Sequence, residues 1–159
     1  MILNTLAYSW GIYTEWYELV DGYLSLFTSR KLKWGKFTNQ VYEHSKDTEG
    51  HRVSIIILKL LHLLKYRKYG MYIDQLEANQ KYIQRYVKPN NKKQRRCYLF
   101  LRCLMAIPKS NFNRIAYKRN TTVFIKQLAA SPPSSTKQLL EQELIPFEIL
   151  NNYVKSILK

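Results

Sequence analysis

Few residues in this chain could do chemistry unaided, and their spacing decides how far each can be taken. The histidines are His44, His51 and His62, and the cysteines are Cys97 and Cys103. A zinc site needs several such groups converging, and neither C-x2-C nor H-E-x-x-H spacing occurs. No histidine pairs with another histidine, a cysteine or a carboxylate at i+3 or i+4 on a predicted helix. His62 sits beside the polar stripe of an apolar segment, so a hydrogen-bonded structural role is expected, although imidazole suits acid–base work. Cys97 and Cys103 would become nucleophiles if Arg95, Arg96 or Arg102 stabilised a thiolate, but their apolar neighbours favour inert core thiols. Six positions apart on one predicted helix, they cannot pair with each other. Glu15/Glu18 and Asp74/Glu77 are i, i+3 carboxylate pairs that could bind a cation or share a proton. With no histidine or third acid beside them they read as solvated helix faces. The glycines stand alone at 11, 22, 35, 50 and 70, so no phosphate-cradling loop exists, and no G-x-S-x-G elbow appears. The expectation is a non-enzymatic protein with no catalytic residues, metal or cofactor, unless a site is assembled from positions distant in sequence.

The functional signal that carries more weight is charge. The chain has 26 Lys and Arg against 11 Asp and Glu, a net charge of +15. Between Glu77 and Glu141 there is no carboxylate, while fourteen cations run from Lys81 to Lys137. Such a stretch carries positive potential and attracts polyanions, or else forms the ordinary solvated surface of a basic protein. Lys81, Arg85 and Lys88 share a helix face at i, i+4 and i+7. Lys92, Lys93, Arg95 and Arg96 follow in the next turn, and Arg114, Lys118 and Arg119 lie on the next exposed helix. Phosphates require donors clustered in this way, because each one neutralised releases counterions. Tyr82, Tyr86 and Tyr117 are interleaved and could stack on bases, although tyrosines at helical spacing usually belong to the core or its boundary. No known nucleic-acid module matches.

The elements that must hold these residues are helices. Hydrophobic content is 46%, and glycine and proline are scarce at five each, which suits helices with short connections. HRVSIIILKLLHLLKY is apolar on most of its circumference, leaving only Arg52, Lys59 and His62 in a polar stripe, so a buried helix is predicted. After the turn Arg67-Lys68-Tyr69-Gly70, MYIDQLEANQKYIQRYV places Tyr72/Ile73, Leu76, Ile83 and Tyr86/Val87 on one face. Lys88-Pro89 ends that helix. CYLFLRCLMAI predicts a second buried helix ending at Pro108. Ser110 or Asn111 then caps a helix over 112–129, with Phe112, Ile115/Ala116, Val123/Phe124 and Leu128 inward and Arg114, Lys118 and Arg119 outward.

Upstream, residues 2–30 and 34–44 read as helices, followed by a polar loop over 45–50. Downstream, Ser131 to Ser135 is a short connector, and Leu139, Leu140, Leu144 and Ile145 form an apolar segment. Pro146 opens a last helix whose stripe is Phe147, Leu150, Tyr153/Val154 and Ile157/Leu158. The whole predicts one all-α domain of stacked antiparallel hairpins over 1–159. No stretch is apolar for the roughly 20 residues that a bilayer demands, and no secretory signal is visible. Two thiols expected to stay unpaired favour the cytoplasm.

LLKYRKYGMYIDQLEANQKY resembles the core of a tetratricopeptide repeat, with Tyr69 where such repeats often carry an aromatic residue. Tyr72 departs from the small alanine usual at its position, which implies wider helix spacing or an irregular repeat. From about Trp34 to Leu158, the order KFTNQVYEHSKDTEG, SIIILKLLHLLKYRKYGMYIDQLEANQKYIQRYV, RCYLFLRCLMAIPKSNFNR and ELIPFEILNNYV resembles the C-terminal part of an uncharacterised helical-repeat family found mainly in Bacteroidota. That resemblance implies a tetratricopeptide-like right-handed superhelix or an irregular bundle. It also implies that the chain is a C-terminal portion or a shortened member, whose first helices expose apolar surface for a dimer or another partner. The function expected is a scaffold whose basic face recognises an acidic protein; the alternative is an RNA- or DNA-binding helical protein using the Lys81–Lys126 tract.

Overall fold

The computed structural model describes residues 49–91, 94–131 and 145–159, with backbone only for Glu49, Gly50 and His51; in these the chain is all-α, five helices with no strand. The apolar run becomes α1 (Glu49–Lys65), which begins just inside the predicted polar loop. Residues 53–58, 60, 61, 63 and 64 are each 6% exposed or less, whereas Arg52 and Lys59 are half-buried and His62 is 9% exposed. The polar stripe lies where the spacing places it. The chain divides into two compact units at Leu58/Lys59, within this helix, and everything below belongs to residues 59–159. The predicted helices over 2–30 and 34–44, the Glu15/Glu18 pair, His44, Lys92, Lys93, residues 132–135 of the connector and Leu139, Leu140 and Leu144 lie outside the described residues, as does the His51 side chain.

A three-residue turn joins α1 to α2 (Tyr69–Tyr86). Lys68 N–H donates to the Leu63 carbonyl (2.9 Å) and Arg67 N–H to that of Leu64 (3.0 Å), the paired bonds of a Schellman ending. Arg67 occupies its left-handed position, φ 55°, where glycine is usual. On α2, Tyr72, Asn79 and Ile83 are buried, while the predicted inward residues Ile73 and Tyr86 sit at the edge, 36% and 38% exposed.

The next helix, α3 (Arg95–Lys109), runs antiparallel to α2 and carries Pro108 within its last turn. The predicted end at Pro108 is overrun by one residue for a specific reason. Proline has no N–H for the Leu104 carbonyl, and that oxygen instead accepts from the buried Tyr72 hydroxyl at 2.9 Å. A second Schellman ending follows, with Phe112 N–H on the Ile107 carbonyl (3.1 Å), Asn111 N–H on that of Pro108 (2.9 Å), and Asn111 at φ 50°. Ser110 bonds back to Ala106 (2.8 Å). Neither Ser110 nor Asn111 therefore caps the next helix. Asn113 does, its Oδ1 accepting from Ile115 N–H (2.9 Å) and Ala116 N–H (3.0 Å) at the start of α4 (Arg114–Ala129). Phe112, outside the helix at φ 55°, stacks on Tyr69 at 4.1 Å and meets Tyr72 edge-on.

The inward face of α4 differs in part from the predicted one. Leu128 is buried as predicted and Ala116 and Phe124 are half-buried, but Ile115 is 80% and Val123 62% exposed, and Tyr117 and Thr121 are buried instead. The Tyr117 hydroxyl decides the rotation, since it donates to Asn151 Oδ1 at 2.7 Å across the interface with α5 (Phe147–Ile157). That last helix buries Phe147, Leu150, Tyr153 and Val154 as its spacing predicts, and Leu158 just beyond it. Phe147 stacks on Phe100 of α3 (4.7 Å), so α3, α4 and α5 share one core. Removing a buried phenyl ring from such a core costs about 3–5 kcal/mol.

Candidate interaction surface

The predicted basic set does not stay together. Lys81 and Arg85 are exposed along α2, and Arg95 at the start of α3; Lys88 is exposed two residues past the end of α2, where extended backbone at Val87 takes it off the predicted helix face. The connection between the two helices is closed by Lys88 N–H donating to the Gln94 side-chain Oε1 (3.1 Å) and Arg95 N–H to the Asn91 carbonyl (2.9 Å). Arg114, Lys118 and Arg119 are also exposed, but at the N-terminal end of α4. Because α4 runs antiparallel to α3, that end is the far one. About 14 Å of helix separates Arg119 from Leu128, the α4 residue beside the start of α3. One tract in sequence thus becomes two patches in space.

Arg96 leaves the set altogether. It is 5% exposed. Its Nη1 donates to the carbonyls of Leu128 (2.9 Å) and Ser131 (2.7 Å), and its Nη2 to both oxygens of Glu148 (3.0 and 2.9 Å). A cation at the C-terminal carbonyls of α4 and an acid in the first turn of α5 both complement the helix dipoles. Arg96 therefore ties three helices together and has no donor facing solvent for a polyanion. Tyr117 is fully buried, a core residue as tyrosines at helical spacing usually are, and has no face for a base. Tyr82 and Tyr86 remain at the surface, 4.8 Å apart, with the Arg85 guanidinium 5.5 Å from the Tyr86 ring.

Among the described residues, none of Lys81, Arg85, Lys88, Arg95, Arg114, Lys118 and Arg119 is paired with a carboxylate. The acids Asp74 and Glu77 are exposed on α2. Among the described residues no group of three or more potential metal ligands forms. Cys97 and Cys103 are buried thiols, and burial pushes Cys103 up to about 12, far from a nucleophilic thiolate. His62 packs against Tyr66 with ring centroids 4.8 Å apart.

A feature that the linear reading passed over lies between α2 and α3. A cleft of about 250 Å³ is lined by Ile83, Val87, Tyr98, Leu101 and Met105, with Lys88 and Arg102 among its polar members. Arg102 is exposed, its guanidinium 5.3 Å from the centre of the Phe124 ring. Its one sequence signal is being the lone cation inside CYLFLRCLMAI. No described helix is long and apolar enough to cross a membrane. Comparison with protein-family models, curated proteins and solved structures finds no match for this chain.

Proposed function

We propose that this protein is a non-enzymatic helical scaffold, tetratricopeptide-like in its stacking, that binds an acidic protein partner through the basic end of the α2–α3 layer. The observation carrying this reading is the state of Lys81, Arg85, Lys88 and Arg95. All four are exposed, Lys81 and Arg85 one turn apart on α2 and Lys88 and Arg95 flanking the α2–α3 connection, and none is paired with a carboxylate among the described residues. Like charges held together without counter-ions repel one another, and an anionic partner relieves that repulsion and is steered toward it. The arrangement supplies recognition without catalytic groups, consistent with stacked hairpins presenting an extended surface. A cytoplasmic setting, with both thiols reduced, belongs to the same reading.

Nucleic acid is the second reading, favoured by the pairing of half-buried Tyr82 with exposed Tyr86 beside Arg85 and weakened by the burial of Tyr117 and Arg96. A selection of displayed peptides on the immobilised chain, with single-stranded RNA tested in parallel, separates the two. Enrichment of acidic sequences that is lost in the Lys81→Glu/Arg85→Glu/Arg95→Glu variant supports the protein partner. RNA binding with a steep fall of log affinity against log salt, and no peptide enrichment, replaces it with the second reading.

A further inference from the structure

We propose that the α2–α3 cleft is a pocket for one aromatic or large aliphatic side chain of that acidic partner, with Lys88 and Arg102 taking the carboxylates on either side of it. The inference rests on the reading of the basic end as a protein-docking surface and adds what would give it specificity.

Three observations carry it. The volume, about 250 Å³, falls below the roughly 300–1,000 Å³ of small-molecule and cofactor sites and is the space of about eight waters. It suits a single inserted side chain. The walls are the apolar groups of Ile83, Val87, Leu101 and Met105 with the Tyr98 ring, so water there has few partners and is readily displaced by an apolar group.

The rim is cationic and held in place. Lys88 is anchored through its backbone N–H on Gln94 and its Nζ on the Gln84 carbonyl (3.0 Å). The Arg102 guanidinium is located by the Phe124 ring, which leaves N–H donors for a carboxylate. An apolar slot between two cations complements an apolar residue flanked by acids. Aromatic anchors seated in well-packed, desolvated pockets are where binding energy concentrates in protein interfaces. Arg95 lies two turns before Arg102 along the same side of α3, so the partner's further acids meet charge of the opposite sign.

The test uses the full chain and two synthetic peptides, each a short run of glutamate and aspartate. One carries a central phenylalanine and the other a serine in its place; binding is read by fluorescence anisotropy. The phenylalanine peptide is expected to bind about tenfold tighter, and Met105→Trp, which fills the slot, is expected to erase that difference. Arg102→Gln should weaken both peptides, and circular dichroism melts of each variant establish that it is folded. The comparison of the two peptides on the unmutated chain needs no variant at all. Equal affinities there, lost on reversal of Lys81, Arg85 and Arg95, would overturn the pocket and leave the basic docking face standing. Absence of binding to either peptide would remove both. RNA binding that is abolished by Met105→Trp would overturn the proposal in favour of a base in the slot.

Discussion

The hydroxyl of Tyr72 donates to the carbonyl of Leu104 at 2.9 Å, and that carbonyl is the one left without its helical N–H by Pro108. A defect within α3 is thereby repaired by a side chain from α2. Tyr72→Phe removes the donor and leaves a buried carbonyl unsatisfied, at a cost of about 1–3 kcal/mol in urea unfolding. In a Pro108→Ala background the restored N–H competes for Leu104, so the cost of Tyr72→Phe should fall below about 1 kcal/mol. Equal costs in both backgrounds would dissociate the two features.

Arg96 and Lys81, Arg85 and Arg95 should separate cleanly by what their loss affects. Arg96→Ala strands the Glu148 carboxylate and the α4 carbonyls. Since the Glu148 side chain is 39% exposed and can rehydrate, about 2–3 kcal/mol is expected rather than the full penalty of a sealed pair. The triple reversal at Lys81, Arg85 and Arg95 changes stability by about 0.5 kcal/mol or less per site and removes polyanion binding. Denaturation and heparin retention, measured on the same preparations, give this double dissociation. A triple variant as unstable as Arg96→Ala contradicts it.

The α1–α2 turn has its glycine at the wrong place for its backbone. Arg67 adopts φ 55°, whereas Gly70 lies in α2 with nothing within 4 Å of where its Cβ would be. Arg67→Gly relieves a left-handed conformation costing about 1 kcal/mol, and Gly70→Ala removes unfolded-state freedom for about 0.4–1 kcal/mol more. The double variant should gain about 1–2 kcal/mol with an unchanged urea m-value. Arg67→Ala, by contrast, gains nothing, because alanine carries the same Cβ.

Alkaline pH should destabilise the fold. Burial pushes the Cys103 thiol from 9.0 up to about 12 and raises the Tyr72 and Tyr117 hydroxyls; Tyr117 adds to the Tyr72 shift and Cys103 to that of Tyr117. These groups are neutral when protonated, so above about pH 9 the unfolded chain loses protons that the folded chain keeps. The Cys103 contribution is complete below pH 9 and is lost as pH rises toward 12, whereas those of Tyr72 and Tyr117 are complete below pH 10 and begin to fall only above it. Cys103→Ala should flatten the fall in stability between pH 9 and 11 by up to ~1.4 kcal/mol per pH unit, whatever its effect at pH 7. An identical slope in the variant would remove Cys103 as a contributor.

Read alone, the sequence was sufficient for the helices themselves: α1 with its stripe of Arg52, Lys59 and His62, and α5 with Phe147, Leu150 and Tyr153/Val154 inward. Apolar periodicity is a local property, and burial of the face it marks makes the helix form. The rotation of α4 was not legible. Ile115 and Val123 outrank Tyr117 and Thr121 in hydrophobicity, yet Tyr117 turns inward to reach Asn151, 34 positions away. Arg96 looked like its neighbour Arg95 until Leu128, Ser131 and Glu148, 32 to 52 positions distant, enclosed it. Only the tertiary structure split the basic tract in two and opened the cleft beside Arg102. A side chain's partners are set by which distant segments pack against it, and no local spacing encodes that.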